Sequence, residues 1–337
     1  MSIKENSPKK YRLFDRGVWA KYELKDYLKR KIPKKNPQQT ESIYCGQKAL
    51  DISEVNRIIG EHIKKNEPFW AGRMGFTEMS YLRQVIKHRM IPMLDHREYA
   101  LQQLCNLSGF FPLDLELGEK YADLLLQDSK EIDMQGYWHL SMEEYIHDIY
   151  QKDVMVTFLS WLEPWKACNN KEIRPWSYEL KGKKVLVIHP FEQSIRMQYE
   201  NNREKIFANI TGHPDLLPEF ELKTIKAVQT LGETKDDRFK DWFEALEWMK
   251  SECHKTDFDV AIVGCGAYGF HLAAEIKRMN KTVIHLGGAT QLLFGIKGKR
   301  WDERQDETAK MMNEYWVRPL ETEKPSNSIK IEDGCYW

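Results

Sequence analysis

Three features are missing from this 337-residue sequence, and each absence argues against a class of protein. It has no run of about 18 apolar residues, so no membrane-spanning helix is predicted, and its N-terminus lacks the apolar core of a secretory signal. Its six cysteines are scattered without a Cys-x-x-Cys pair, which disfavours a zinc site or disulfide framework and suits a cytoplasmic protein. The formal net charge is zero, which disfavours a nucleic-acid partner.

The charge is nevertheless unevenly distributed along the chain. Residues 1–40 contain 12 Lys or Arg and 4 Asp or Glu, a net charge of +8, so residues 41–337 carry −8. We interpret residues 1–40 as a basic N-terminal arm containing a short amphipathic helix between Val18 and Leu28. Such runs are usually solvated tails. The alternative is an arm that docks an acceptor or makes peripheral contact with the inner face of the membrane.

Apolar, β-branched segments alternate with helical patterns over most of the chain. This alternation predicts a Rossmann-like α/β fold, a mostly parallel sheet flanked by helices. The α/β domain is expected to span residues 41–320, with a helical insertion at about 77–150. Residues 321–337 are expected to fold back on the domain, because a free tail rarely ends in two large aromatics. The predicted strands are 69–73, 154–159, 184–190, 222–228, 258–263 and 282–286.

Gly264, Gly266 and Gly269 form a Gly-x-Gly-x-x-Gly motif between a predicted strand and a predicted helix. Glycines at such a turn let the backbone approach a phosphate, and the free N–H groups of the helix start attract it. The alternative is a tight turn that only packs the helix closely against the strand. The next strand has no Asp or Glu at its end to bind a ribose, so NAD is not expected.

Polar residues also follow two other predicted strands, where an open parallel sheet binds its ligands. Arg73 is suited to a bidentate contact with phosphate, and Gly75 permits a sharp turn. Glu78 would lie in the first helical turn as a base or metal ligand, or would only favour the helix dipole. His189 is a candidate catalytic residue because a histidine titrates near neutrality; the alternative is a hydrogen-bonded structural histidine.

Residues 287–301 combine glycines with amide, cationic and aromatic side chains. Cations suit the phosphates of a nucleotide sugar, and the indole of Trp301 suits a sugar or base. We therefore assign Gln291, Lys297 and Arg300 to ligand binding. The alternative is a solvated loop, since glycine-rich basic segments are often connectors.

The segment from Arg73 to Glu78, Arg-Met-Gly-Phe-Thr-Glu, resembles the Arg-Phe-Gly-Asp-Gly-Glu signature of GT-D-type glycosyltransferases. These bacterial enzymes move a sugar from a nucleotide donor. Residues 263–272 and 283–287 are similar to the glycine turn and a later strand motif of that family, so the resemblance spans roughly residues 68–300. It implies a Rossmann-like sheet, a UDP-sugar donor and a divalent metal held by an Asp-x-Glu pair.

Two positions depart from that family. Phe76 stands where the family has the Asp of its metal pair, and His285 stands where the later motif has an Asp. One possibility is that Mg²⁺ or Mn²⁺ is held differently, through Glu78 and dependent on the donor. The other is that the metal is absent, and that Arg73 and the cations at 297 and 300 neutralise the diphosphate.

The function expected from the resemblance is transfer of a glycosyl group in polysaccharide or glycoconjugate synthesis. The acceptor would be a glycan, a glycoprotein or a lipid-linked sugar. The missing Asp at Phe76 leaves a second interpretation, a non-catalytic Rossmann-like scaffold that binds a nucleotide, a sugar or a partner protein.

Overall fold

The computed structural model describes residues 13–31, 43–138, 141–151, 153–210, 212–213, 215–234, 236–302, 307–325 and 336–337. Over these residues the chain forms a seven-stranded parallel sheet with helices on both faces, and a separate two-stranded antiparallel hairpin. The predicted Rossmann-like α/β fold is therefore confirmed. Much of the basic arm (1–12 and 32–40) and of the tail (326–335) lies outside the described residues.

The hairpin consists of β1 (Ile43–Tyr44) and β2 (Gln47–Lys48). The strands of the parallel sheet are β3 (Phe69–Gly72), β4 (Met134–Tyr137), β5 (Met155–Phe158), β6 (Lys184–His189), β7 (Glu221–Lys226), β8 (Val260–Val263) and β9 (Thr282–His285). The helices are α1 (Leu13–Lys31), α2 (Ile52–Lys65), α3 (Phe76–Met90), α4 (Arg97–Ser108), α5 (Leu115–Asp128), α6 (Ser141–Tyr150), α7 (Glu192–Ile206), α8 (Trp242–Lys255), α9 (Gly269–Arg278), α10 (Thr290–Leu293), α11 (Lys299–Asp302) and α12 (Glu307–Met311). None of these helices is long and apolar enough to cross a bilayer.

The sheet is buried on both faces, because alternate side chains of a strand point in opposite directions. In β6, Leu186 and Ile188 join the core beneath α3, α5, α8 and α9. Val185 and Val187 join the core on the other face, beneath α2 and α7. A strand such as β6, which packs against a core on each face, must be apolar at every position. Such a continuous apolar run is recognisable in the sequence.

The strand order, β5-β4-β3-β9-β8-β6-β7, fixes where a ligand can bind. From β6 the chain moves outward through α7 to β7, whereas from β8 it moves inward through α9 to β9. Because α7 and α9 lie on opposite faces, a crevice opens at the carboxyl ends of the adjacent strands β6 and β8. Open α/β sheets bind their ligands at such a reversal.

Residues 77–150 were predicted to form a helical insertion, and the structure corrects this prediction. Its strand β4 pairs with both β3 and β5, so the segment is part of the sheet. Gly136 lies within this strand, where a Cβ would lie 2.8 Å from the Leu162 Cδ1 atom. The sequence Met-Gln-Gly-Tyr has no β-branched residue, so it carries no strand pattern.

Asp128, at the end of α5, joins that helix to α9 through a buried network. The Asp128 carboxylate accepts hydrogen bonds from His271 Nδ1 (2.7 Å) and Arg278 Nη2 (2.5 Å), and both Asp128 and His271 are buried. Burial alone would raise the pKa of Asp128. The hydrogen bonds and charges of His271 and Arg278 outweigh burial and hold that pKa below its ordinary value.

We expect Asp128→Asn to lower the free energy of unfolding by about 3 kcal/mol at pH 7, since removing one member of a buried ion pair leaves its partner uncompensated. Because folding lowers the pKa of Asp128, its contribution is present above about pH 4 and is lost as the pH falls through the folded-state pKa. Urea denaturation of wild type and variant between pH 7 and pH 3 measures both effects.

Asp123→Asn, on the same helix, is the matched control. Asp123 is exposed and pairs with Arg89, so its loss is expected to cost less than about 1 kcal/mol. Equal losses in the two variants would contradict the structural role of Asp128.

Candidate functional site

A cavity of about 400 Å³ opens at the carboxyl end of the sheet, beside the crevice between β6 and β8. Segments at the ends of β3, β4, β6, β7, β8 and β9 line it, and its volume lies within the range typical of ligand pockets. The residues predicted from the sequence that line it are Arg73, Gly75, Glu78, His189, Gly264, Gly266, Gln291 and Arg300.

Arg73 places an unpaired guanidinium in this cavity. The group stacks over the Trp138 ring, 4.8 Å from the centroid, and forms no ion pair or hydrogen bond with any described residue. Burial lowers the pKa of Arg73, and the neighbouring Arg300 charge lowers it further, against the charges of Glu163 and Glu78. Arginine nevertheless stays protonated in proteins. An unpaired cation facing a cavity indicates an anionic ligand.

Glu78 is the one carboxylate among the described residues that line the cavity. It is buried in the first turn of α3, where its Oε2 atom accepts a hydrogen bond from Thr77 Oγ1 (2.8 Å). Thr77 Oγ1 in turn contacts the hydroxyl of Ser108. A Cβ at Gly75 would lie 2.0 Å from Glu78 Oε2, so any larger residue there would displace the carboxylate.

His189 lies in the cavity as a neutral imidazole. Its Nδ1 atom accepts the Phe191 N–H at 3.0 Å, which leaves the proton on Nε2. Burial lowers the pKa of His189 to about 3. The prediction of a histidine that titrates near neutrality is therefore corrected: at pH 7 His189 offers a hydrogen-bond donor and accepts no proton.

His285 is also buried at the cavity wall. Burial, together with the charge of Arg73, lowers its pKa to about 3. Its Nδ1 atom is buried without a partner among the described residues. The cavity wall thus carries a second neutral imidazole besides that of His189.

The glycine motif is used largely for close packing. A Cβ at Gly264 would lie 2.3 Å from the Gly287 carbonyl oxygen, and one at Gly266, where φ is +58°, would lie 2.5 Å from the Ser108 carbonyl oxygen. These two glycines also line the cavity. Gly269 does not; its missing side chain makes room for His285, whose Nε2 atom would lie 2.4 Å from a Cβ. The structure thus shows Gly269 in a packing contact, and its role in ligand binding stays a prediction.

Lys297 is the other predicted ligand-binding residue that the structure places outside the cavity lining. Its backbone N–H donates to the Val317 carbonyl oxygen at 2.7 Å, beside the bridge between Ile296 and Val317. Gln291 does line the cavity, and its amide nitrogen donates to the Ile296 carbonyl oxygen at 3.2 Å. Gln291 therefore also supports the loop in which Lys297 lies.

Tyr336 and Trp337 form part of the cavity wall. The Tyr336 hydroxyl accepts a hydrogen bond from Arg300 Nη1 at 3.2 Å, and its carbonyl accepts one from Gln291 Nε2 at 3.3 Å. The Trp337 ring meets Phe191 edge-on, with centroids 5.8 Å apart. The described end of the tail thus packs against the site; the preceding residues 331–335 lie outside the described part of the chain.

Trp138 was missed by the sequence analysis although it supports Arg73. Its backbone N–H donates to both oxygens of Glu143, at 2.8 and 3.0 Å, and its indole N–H donates to the Met74 carbonyl oxygen at 3.1 Å. It directly follows β4, so recognising that strand would have placed it at the carboxyl edge. Together with Phe76, which is 58% exposed, it forms an aromatic rim on the cavity.

The described residues do not form a metal centre. No group of three His, Cys, Asp or Glu side chains among them is arranged to hold a metal ion. Phe76 is apolar, which leaves Glu78 as the single side-chain carboxylate of the described cavity wall. Mg²⁺ or Mn²⁺ is usually bound through one or two carboxylates together with the phosphates of a substrate, so an ion at Glu78 would need phosphate oxygens as further ligands.

No family model, no curated protein and no solved structure matches this chain.

The two buried histidines predict a specific dependence of stability on pH. In the unfolded chain they protonate near pH 6.5, whereas in the folded protein they stay neutral down to about pH 3. The unfolded state therefore binds more protons in this window, and stability should rise with pH from about 3 to 6.5. Urea denaturation at pH 4, 5, 6 and 7 should give a shallower rise for His189→Gln than for wild type.

Met197→Gln is the control, since Met197 is an exposed residue of α7 without a titratable group. Its slope should match that of wild type. A His189→Gln slope identical to that of wild type would show that His189 is not held neutral.

Proposed function

We propose that this protein transfers a glycosyl group from a nucleoside-diphosphate sugar, with a UDP-sugar as the donor suggested by its resemblance to GT-D-type glycosyltransferases. The acceptor would be a glycan, a glycoprotein or a lipid-linked sugar. The observation that carries the proposal is the unpaired Arg73 guanidinium in a cavity of about 400 Å³ at the carboxyl edge of a parallel sheet. A guanidinium binds the paired oxygens of a phosphate in bidentate fashion.

The diphosphate is proposed to lie between Arg73 and the glycine turn. Gly266 begins a short 3₁₀ turn that continues into α9, so N–H groups at this helix start add positive partial charge. Arg300 lies close enough to Arg73 to lower its pKa, and an anion between them relieves that repulsion. The same cations would stabilise the negative charge that develops on the departing nucleoside diphosphate.

The acceptor is proposed to enter over the aromatic rim of Phe76 and Trp138, since sugar rings can lie against apolar aromatic faces. The acceptor oxygen would form a bond to the anomeric carbon as the bond from that carbon to the diphosphate oxygen breaks. Glu78, as the carboxylate of the described cavity wall, would accept the proton of the acceptor hydroxyl. The neutral His189 would donate a hydrogen bond without exchanging a proton.

Mg²⁺ or Mn²⁺ is proposed only as an ion that enters with the donor. The residues described do not hold one by themselves, and no step above passes through it. Phosphate oxygens of a donor would supply the ligands that the protein lacks.

The second candidate is a non-catalytic module that binds a nucleotide or sugar. The observation favouring it is Phe76 at the position where the family has a metal-binding Asp. Both candidates require Arg73 to bind an anion, and they differ in what they require of Glu78.

We expect Arg73→Gln to weaken binding of UDP about tenfold to a hundredfold, because a charge-assisted hydrogen bond contributes roughly 1.5–3 kcal/mol. Isothermal titration with uridine, guanosine and cytidine diphosphates, with and without Mg²⁺ or Mn²⁺, measures this. The melting temperature should not fall, since the variant removes a charge that has no partner among the described residues.

Lys297→Gln is the matched control: it removes a nearby cation outside the cavity lining and should leave the affinity unchanged. Wild type that binds none of these diphosphates would refute the proposed donor.

Glu78→Gln separates the enzyme from the module. For a glycosyltransferase, we expect the rate of donor turnover, including slow donor hydrolysis, to fall at least about a hundredfold, the lower end of what acid–base catalysis contributes. UDP affinity should change little. Release of UDP from a panel of UDP-sugars measures the turnover, and its absence in wild type with UDP binding intact would favour the module.

A further inference from the structure

Helix α1 presents an apolar face to solvent. Ala20, Leu24, Tyr27 and Leu28 recur at the i, i+4, i+7 and i+8 spacing of a single helix face. Leu24, Tyr27 and Leu28 are 59%, 57% and 51% exposed. Scattered exposed leucines are ordinary, but a continuous exposed stripe along one helix marks an interaction surface.

The stripe is not the core-facing side of a displaced helix, because the opposite side of α1 is already packed. Trp19 and Tyr22 are buried in the core, and the Tyr22 ring meets Tyr145 of α6 edge-on, 5.6 Å between centroids. Glu23 accepts two hydrogen bonds from Arg83, at 2.7 and 2.5 Å. The helix is therefore fixed to the domain with its apolar stripe outward.

The loop between α3 and α4 extends this stripe. A groove is lined by Trp19 and Ala20 of α1 and by residues 90–93, so the two elements adjoin. Met93 is 94% exposed, the most exposed of the large apolar side chains described, and Ile91 and Leu94 beside it are also exposed. We call the exposed apolar side chains of both elements the α1 surface: Leu24, Tyr27, Leu28, Ile91, Met93 and Leu94.

Positive charge borders this apolar surface. Lys21 and Lys25 are exposed on α1, and Lys25 pairs with Glu144 of α6. Glu23, the carboxylate between the two lysines, is paired with Arg83. In the sequence, residues 1–40 carry +8 while the rest of the chain carries −8. An apolar helix face flanked by lysines is typical of helices that lie in the headgroup region of a bilayer.

We propose that the α1 surface binds an anionic lipid surface, with α1 lying in the plane of the membrane interface. Leu24, Leu28 and Met93 would insert among the headgroups, and the basic residues would meet the lipid phosphates. A second copy of this chain is a poorer occupant, because a symmetric dimer through this surface would bring two copies of α1 together, and the sequence of α1 contains six Lys or Arg against three Asp or Glu. The proposal is independent of the activity proposed above.

Flotation of the full chain with vesicles tests it. We expect binding to vesicles of phosphatidylcholine with about 30% phosphatidylglycerol, weaker binding at 0.5 M salt, and little binding to phosphatidylcholine alone. The double variant Leu24→Gln/Leu28→Gln should lower the partition coefficient at least about tenfold. Met93→Gln should lower it as well, since the loop shares the surface. Met197→Gln is the control, because it removes an exposed methionine from α7 on the opposite face of the sheet.

Melting temperatures of all variants should match that of wild type, as the substituted side chains are exposed. Should the double variant fail to fold, Met93→Gln on the α3–α4 loop still decides the outcome. The proposal is overturned if wild type does not bind the anionic vesicles, or if neither Met93→Gln nor the double variant reduces binding. It is also overturned if wild type is a dimer in light scattering that the variants convert to monomer, which would make the surface a protein interface.

Discussion

A guanidinium held at the carboxyl edge of the sheet, without a carboxylate partner among the described residues, is the constraint on which the rest of the site depends. The Trp138 ring stacks on this guanidinium, and Trp138 is itself held by hydrogen bonds to Glu143 and to the Met74 carbonyl. Gly287 adopts a φ of +58° beside it, where a Cβ would lie 2.4 Å from Arg73 Nη2. His285 beside it is neutral because burial, and then the charge of Arg73, lower the pKa of its imidazole.

The glycine turn shows that packing and ligand binding need not be alternatives. Gly264 and Gly266 bring the end of β8 against the turn after β9 and the end of α4, and the closeness of these backbones shapes one wall of the cavity. Gly269 packs against His285 and lies outside the cavity lining. A motif of three glycines thus divides its positions between the two functions, and sequence spacing cannot say which glycine serves which.

The sequence predicts the parts of this fold that are set by burial on both faces. Strand β6 is recognisable because Val185 to Ile188 must be apolar toward two cores at once. Strand β4 is not recognisable, because it contains a glutamine and a glycine and no β-branched residue. Trp138, which directly follows β4 and stacks on Arg73, was missed for the same reason. Lys297 was assigned by proximity in sequence to other cations. The structure places Lys297 outside the cavity lining, next to the bridge between Ile296 and Val317, and proximity in sequence does not predict this position. The packing of Tyr336 against Arg300 depends on tertiary structure that no local pattern encodes.

The position of β9 has a consequence for how the chain folds. β9 lies between β3 and β8 near the middle of the sheet, yet it is the last of the seven strands to be synthesised. Its partner β3 is among the first to be synthesised. Phe69 of β3 can pair with Thr282 of β9 only after more than 200 further residues, as the numbering shows, have been added to the chain. Until then, the edges of β3 and β8 that will receive β9 remain open, and closing so long a loop is slow. Before β9 is synthesised, strands β5-β4-β3 and strands β8-β6-β7 can form only two separate parts of the sheet, each with an unpaired edge. Unpaired strand edges can pair incorrectly, so correct folding depends on keeping these two edges apart until β9 has been synthesised.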